Sequence, residues 1–437
     1  MMLSTLLLAV TPTVGGDLLA IRVGRAETIS HGTIEHAVVL VEDGKIVAVG
    51  QDLPIARGIP VIDRPDWVVM PGLVDCHSRT GMDSRGTSAS EPHMLASGEL
   101  YAGQDVYADM LEIGVTTLGL YPAGTGIPGQ AVAVRPKGDS TDEMILKDSV
   151  YLKFLLRTNA KSKKLLISGF EKADEHEEKV AKALEKWEKA QEKKKKKKKS
   201  SKSKSKKDDE EKDDEKKDEK KEDEKKDEKD SDKFVPPEPD PKVKPFLDLR
   251  SGDLTALMSI SKASDYLHLI DALGDEEFDW TLHCPLRNEI DLFKVAEKIG
   301  EKELRVVLET EITLQATTRR ERNIPAELVA AGAKLALIPS RDSVTGHRDW
   351  LTDLGHLVKS GLDRDAALRA VTLEPAEVLG LGERIGSIDV GKDANLILLD
   401  GDPFEPSSRI RMVMLEGEIV YEAKPRYGEQ GQENRGK

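Results

Sequence analysis

The stretch from Val68 to Gly81 constrains the fold more than any other part of the sequence. An apolar run pauses at Pro71, resumes for two residues, and ends in a polar cluster that begins at Asp75. Parallel strands buried on both faces have near-continuous apolar sequences, and α/β barrels carry their functional side chains at the carboxyl ends of such strands. The stretch therefore predicts a barrel strand that presents His77 and Arg79 at the barrel mouth.

The two ends of the chain have strand patterns of the same kind. Near the amino end, β-branched runs flank an Asp43–Gly44 turn, which is a hairpin signal. Near the carboxyl end, similar runs flank a turn at Glu416–Gly417. We therefore expect residues 17–70 and 384–425 to form one composite β-sandwich.

Helix and strand patterns alternate in the middle of the chain, for example a helical pattern at 105–113 followed by a strand pattern at 114–121. Without the charged segment 171–245, 238 residues lie between the two terminal strand regions. A (β/α)₈ barrel typically needs about 250 residues. The predicted fold class is thus α/β, with a TIM-like (β/α)₈ barrel over 71–170 and 246–383 that has one unit shortened or missing at most.

The charged segment is almost neutral as a whole, with 24 lysines and 24 acidic residues between Glu171 and Asp232. It begins with a helical pattern from Glu171 to Glu192 and continues as lysine and mixed Lys–Asp–Glu repeats. Such repeats bury too little apolar surface to offset chain entropy, which predicts disorder. A solvated linker is favoured over a binding site for an acidic partner at Lys193–Lys199.

The formal charge of −14 falls entirely on the remainder of the chain, which argues against nucleic acid or an anionic membrane as the main partner. Two cysteines do not make a disulfide framework. No globular stretch has the apolar length of a membrane span. The first ten residues are signal-like but lack a basic start, so cytoplasmic and exported locations both stay open.

Three stretches carry a family resemblance. They are Met70–Gly81, Gly114–Gln130 and Ala366–Asn395. The chain resembles the amidohydrolase superfamily, in particular its imidazolonepropionase-like branch. The resemblance implies a hydrolase of non-peptide carbon–nitrogen bonds, in which a His-x-His pair and two further histidines bind one or two divalent metals. It also implies a last-strand aspartate that serves as general base on metal-bound water.

Three residues match the implied ligand positions. His77 keeps the first histidine, His283 supplies a later one, and Asp342 lies near the place of the last-strand aspartate. The resemblance thus implies His77 and His283 as ligands of a single Zn-type metal and Asp342 as the catalytic carboxylate. Counting back from the following helical pattern puts Asn288 in place of His283, so that assignment stays open.

Other ligand positions are substituted. Arg79 replaces the second histidine of the first strand, and Ser259 and Ser261 replace a later pair. A guanidinium has no lone pair for a metal, and hydroxyls bind zinc poorly. The alternative interpretation is that His77 and His283 are hydrogen-bonded structural residues and that Asp342 is a loop carboxylate paired with Arg79 or Arg341.

Three functional hypotheses follow. The first is a hydrolase with a reduced metal site and a small-molecule substrate. The second is a non-catalytic relative, with no metal, that binds a ligand or assembles with copies of itself or with an active paralogue. The third is a scaffold for the charged insert.

Overall fold

The computed structural model describes residues 18–83, 86, 90–157, 159–204, 233–286, 291–315 and 317–424, and gives only the backbone for 197–204. The signal-like segment at the amino end, Asn288 and the Lys–Asp–Glu repeats after residue 204 lie outside these ranges.

The strands are short in the middle of the chain and longer at its ends. In chain order they are β1 Leu18–Glu27, β2 Thr33–Glu42, β3 Lys45–Gln51, β4 Val61–Pro71, β5 Leu73–Ser78, β6 Val115–Leu120, β7 Gly129–Gln130, β8 Val132–Val134, β9 Ile145–Lys147, β10 Tyr151–Leu155, β11 Thr255–Ser259, β12 Trp280–His283, β13 Arg305–Glu309, β14 Thr313–Leu314, β15 Glu321–Arg322, β16 Lys334–Ile338, β17 Leu396–Leu399, β18 Ile410–Leu415 and β19 Glu418–Glu422.

The helices alternate with the central strands. They are α1 Asp105–Glu112, α2 Thr141–Met144, α3 Ala160–Lys204, α4 Lys244–Ser251, α5 Ala263–Leu273, α6 Ala296–Gly300, α7 Ile324–Ala330, α8 Val344–Lys359, α9 Arg364–Ala370 and α10 Leu373–Val378, with 3₁₀ turns at Ala96–Glu99 and Leu292–Val295. No described helix is long and apolar enough to cross a bilayer.

One seven-stranded sheet joins the two ends of the chain, in the order β19-β18-β17-β4-β1-β2-β3. β17 pairs antiparallel with β4, and β1 pairs parallel with β4. The β2–β3 hairpin has the expected turn, because Asp43 and Gly44 both have positive φ, as a two-residue type I′ turn requires. This single sheet contains strands from both ends of the chain, while the composite β-sandwich and its division from the barrel stay predictions.

The central strands form the mixed α/β part of the fold. Five parallel strands lie in the order β16-β13-β12-β11-β10, and β5 pairs parallel with β6. Segment 129–134 runs antiparallel to β10 and to β6 and so connects the two sets. β16 contacts β5, although no strand pairing joins these two among the described residues. The α/β class is confirmed and is consistent with a TIM-like barrel, whereas a complete (β/α)₈ barrel stays a prediction.

Helix α3 differs in extent from the sequence interpretation. It begins at Ala160, eleven residues before the predicted start at Glu171, and its backbone continues through the lysine block to Lys204. Its first turns belong to the folded core, because Leu166, Phe170 and Ala173 are buried there. Lysine is a good helix former, which accounts for the continuation beyond the core contacts.

Candidate functional site

Four strands bring polar side chains together in the protein interior, three of them at or next to the carboxyl end of the strand. His77 lies on β5, Lys153 on β10, Ser259 on β11 and His283 on β12. All four are at least nine-tenths buried. Because β10, β11 and β12 are adjacent parallel strands, these three side chains face the same space, and His77 of β5 reaches that space as well.

The centre of this cluster is a contact between His77 and Lys153. Nζ of Lys153 lies 2.7 Å from Nε2 of His77. The His77 ring stacks on Tyr121 with centroids 4.0 Å apart, and the lysine Nζ lies 3.0 Å from the centroid of that same tyrosine ring. The amine is thus held between an imidazole nitrogen and an aromatic face, both of which suit an N–H donor.

The electrostatics of this pair follow from its burial. Burial lowers the pKa of Lys153 well below its ordinary value, and the nearby positive charge of Arg79 lowers it further. Burial also lowers the pKa of His77 well below its ordinary value, and the charge of Lys153 adds to this. Both shifts favour the uncharged forms of the two groups, and one N–H shared between the two nitrogens makes the contact a hydrogen bond.

The ring of His283 also packs against the His77 ring, with centroids 4.1 Å apart. Its Nδ1 lies 2.8 Å from the hydroxyl oxygen of Ser259. Burial, followed by the charge of Lys153, lowers the pKa of His283 to about 3. Its Nε2 is buried and has no hydrogen-bond partner within the described part of the chain.

Asp342 ties the loop after β16 to the end of β5. Its carboxylate accepts hydrogen bonds from the Ser78 hydroxyl at 2.6 Å, the Thr80 hydroxyl at 3.1 Å and the backbone N–H of Arg79 at 2.7 Å. The Arg79 guanidinium points elsewhere and donates to the carbonyl oxygen of Tyr121 at 2.7 Å. Arg79 therefore meets Asp342 through its backbone.

A second buried pair lies beneath this loop. Nε2 of His347 is 2.9 Å from Oδ2 of Asp75, and Nδ1 of His347 is 2.9 Å from the carbonyl oxygen of Ser343. Burial lowers the pKa of His347, but the hydrogen bond and charge of Asp75 outweigh burial, and the net pKa is raised. Since both ring nitrogens face acceptors, the protonated imidazolium satisfies both contacts.

The structure brings some of the sequence-predicted site residues together and separates others. His77 and His283 lie side by side, and Ser259 contacts His283. Among the described residues, Asp342 instead groups with Asp75 and His347, whose potential ligand atoms lie within 4.8 Å of one another. The proposed roles of His77, His283 and Asp342 in a metal site stay predictions.

Sequence reasoning missed Lys153 and gave His347 no role. Lys153 is the single charged residue in the apolar strand Tyr151–Leu155, and a buried strand with one lysine was the available signal. His347 lies on α8, outside any strand-end pattern.

The geometry around His77 does not fit a divalent metal ligand. A metal bound to Nε2 would need the lone pair that faces the Lys153 amine at 2.7 Å, and two nitrogens at that distance share a proton rather than a metal. The group formed by Asp75, Asp342 and His347 contains suitable ligand types, but its ligand atoms already hydrogen-bond to protein donors and to each other.

A cavity of about 490 Å³ adjoins the cluster. Its polar lining includes Ser259, Ser261, His283, Arg157 and Lys161, and its apolar lining includes Leu165. This cavity gives the strand-end cluster a space of small-molecule size.

Comparisons with known proteins point to one family. The model of the amidohydrolase family matches residues 257–420. An amidohydrolase of Hapsidospora irregularis is 37% identical over 62 residues, which are 14% of this chain and 6% of that protein. N-acetylglucosamine-6-phosphate deacetylase of Bos taurus is 38% identical over 72 residues, 16% of each protein. The chain thus matches only a small part of the length of these curated relatives.

The agreement in fold is more extensive. The crystal structure of an amidohydrolase from Thermotoga maritima superposes with a TM-score of 0.65 at 21% identity, over 93% of this chain and 100% of that one. The fold and the strand-end cluster define an α/β protein with a candidate site at the carboxyl ends of its parallel strands. Within that class, residues 257–420 match the amidohydrolase family, and the resemblance inferred from the sequence is confirmed.

Proposed function

We propose that this protein binds a small molecule at the barrel mouth without a resident divalent metal, and that it has lost the metal-dependent hydrolysis typical of its family. One observation carries the proposal: the Lys153 amine lies 2.7 Å from the imidazole nitrogen of His77 that would face a metal. The superfamily usually binds a divalent metal, so this contact changes what the inherited site can do.

Two features reinforce the contact. The Arg79 guanidinium lies over the ring of Tyr121, which itself stacks on His77. A permanent positive charge at this place disfavours a cation nearby. Ser259 binds Nδ1 of His283 through a hydroxyl, which is a weak zinc ligand.

A retained binding role agrees with the cavity beside the cluster. A site that had lost all function could fill this space with apolar side chains, whereas hydroxyl, imidazole and cationic groups line it. We infer that the composite sheet and the barrel serve here as the frame of a binding site. Assembly with copies of the chain or with a paralogue, and display of the charged insert, would be compatible with this role.

A metal-dependent hydrolase of carbon–nitrogen bonds is the second candidate. It is favoured by the group of Asp75, Asp342 and His347, which offers two carboxylates and an imidazole within 4.8 Å. In that case a divalent ion would replace the proton that His347 shares with Asp75, and metal binding would compete with protonation.

Restoring the lost ligand position tests the proposal. The double variant Arg79→His, Lys153→Met recreates the histidine pair at the carboxyl end of β5 and removes the amine that contacts His77. We expect this variant to retain zinc after dialysis while the wild type does not. The variant Lys164→Met, which alters an exposed lysine of α3, is the control and should behave as the wild type.

Two outcomes would contradict the proposal. One is zinc retention by the wild type equal to that of the double variant. The other is hydrolysis of simple amides by the wild type that a chelator abolishes, which would support the hydrolase candidate instead.

A further inference from the structure

The cavity beside the cluster combines a positive rim with a polar interior. Arg157, which precedes α3, and Lys161, in the first turn of α3, line it, and both side chains are exposed to solvent. Neither side chain forms an ion pair with any described residue, whereas most of the described arginines do. No carboxylate lies among the residues that line the cavity.

The backbone adds to this positive charge. Helix α3 begins at Ala160, and Asn159 caps it by accepting a hydrogen bond from the backbone N–H of Ser162 at 2.9 Å. Asn159 and Ser162 both line the cavity. The positive end of the helix dipole therefore faces the same space as the two cationic side chains, and this arrangement favours an anion.

The interior of the cavity points independently to a ligand. His283 lines it and is only 4% exposed, and Nε2 of this residue has no partner among the described residues. A buried polar nitrogen normally has a hydrogen-bond partner. A ligand that reaches this ring supplies the missing partner.

The apolar residues that line the cavity indicate what the uncharged part of the ligand is. Leu155, Leu156, Leu165 and Ile260 give the cavity the apolar part of its lining. A molecule that satisfies all three regions has an anionic group, an apolar body and at least one group able to hydrogen-bond with imidazole.

We propose that this cavity binds a small organic anion, a carboxylate or a phosphate ester, whose charge is held by Arg157, Lys161 and the start of α3. The inference rests on the small-molecule binding role proposed above and names the class of ligand. It assigns Arg157 and Lys161 as specificity-determining residues that neither the family resemblance nor the strand-end pattern indicates.

Calorimetric titration of the full chain with three matched probes tests the inference. The probes are phenylacetate, phenyl phosphate and the uncharged phenylacetamide, which share an aromatic body. We expect at least one of the two anions to bind about tenfold or more tightly than the amide, and binding to weaken as salt is added. The tighter of the two anions distinguishes a carboxylate ligand from a phosphate ligand.

Variants locate the charge. Arg157→Gln and Lys161→Gln should each weaken the anion about three- to tenfold, as expected for loss of a charge-assisted hydrogen bond at an exposed rim, and the double variant should weaken it further. Lys164→Gln removes the same charge from the same helix outside the cavity and should leave the affinity unchanged. Thermal melting checks that all variants are folded.

Several results would overturn the inference. These are equal binding of the amide and the anions, unchanged anion affinity in the double variant, or no binding of any probe at millimolar concentration. If these occur while the wild type still retains no zinc, the anion assignment fails and the metal-free role stands. If a chelator abolishes probe binding, the metal-free role itself fails.

Discussion

The amine of Lys153 on β10 lies 2.7 Å from Nε2 of His77 on β5. This contact joins two residues 76 positions apart in the sequence, and it occupies the nitrogen through which His77 would bind a metal. The neighbouring Tyr121 ring faces the same amine. The inherited histidine is therefore part of a hydrogen-bonded polar cluster.

A double-mutant cycle measures this contact. The changes His77→Phe and Lys153→Met, alone and together, should show a coupling energy of about 1 kcal/mol or more in urea unfolding, because the two groups share one buried hydrogen bond. The pair Lys153→Met and Lys182→Met is the control, since Lys182 is exposed on α3, and it should be additive within about 0.5 kcal/mol. A coupling energy near zero for the first pair would show that the contact contributes nothing to stability.

The buried neutral state of His283 predicts acid sensitivity. Its pKa is lowered to about 3 in the folded protein, whereas the pKa of a histidine in an unfolded chain is about 6.5. Between these values the unfolded chain takes up a proton that the folded chain does not, so the free energy of unfolding falls as the pH falls. Relative to His283→Gln, the wild type should lose about 1.4 kcal/mol per pH unit below about pH 6. A parallel pH dependence in the two proteins would mean that His283 is protonated in the fold.

His347 predicts the opposite dependence. Its raised pKa means that the folded protein holds a proton that the unfolded chain has released. The stability that this residue contributes is complete below about pH 6.5 and is lost as the pH rises through the raised value. The advantage of the wild type over His347→Gln in urea unfolding should therefore shrink from pH 6 to pH 9. His356→Gln, a change of an exposed residue on the same helix, is the control. If the difference in unfolding free energy between the wild type and His347→Gln stays constant from pH 6 to pH 9, His347 is not an imidazolium in the folded protein.

Asp342 is expected to be a structural residue of the mouth. Removing its carboxylate in Asp342→Ala leaves three donors without their acceptor, namely the hydroxyls of Ser78 and Thr80 and the N–H of Arg79. We expect a loss of about 1–3 kcal/mol in unfolding free energy. Asp349→Ala removes a carboxylate from an exposed pair with Arg341 and should cost about 0–1 kcal/mol. Equal losses in the two variants would show that the contacts of Asp342 are not specific.

Much of the fold could be predicted because its signals are local. The Asp43–Gly44 hairpin, the apolar run into β5 and the strand pattern at 114–121 each depend on neighbouring residues, and each is present in the structure. The start of α3 was harder to place, because the contacts that bury Leu166 and Phe170 come from distant parts of the chain.

The arrangement of the site could be predicted only in part. The positions of His77 and His283 at strand ends follow from the period of the apolar runs. The hydrogen-bond partners of these residues do not, since Lys153 reaches His77 from another sheet and His347 reaches Asp75 from 272 positions away. Such contacts depend on how distant strands and helices are arranged in space, and no local sequence pattern contains that arrangement.

The metal content of the purified protein tests the central claim most directly. The full chain, prepared without chelator, supplied with zinc and then dialysed, is analysed by inductively coupled plasma mass spectrometry. With the Lys153 amine against His77, we predict far less than one equivalent of zinc, manganese, iron, cobalt or nickel per chain. One full equivalent of any of these metals, retained after dialysis, would contradict the account.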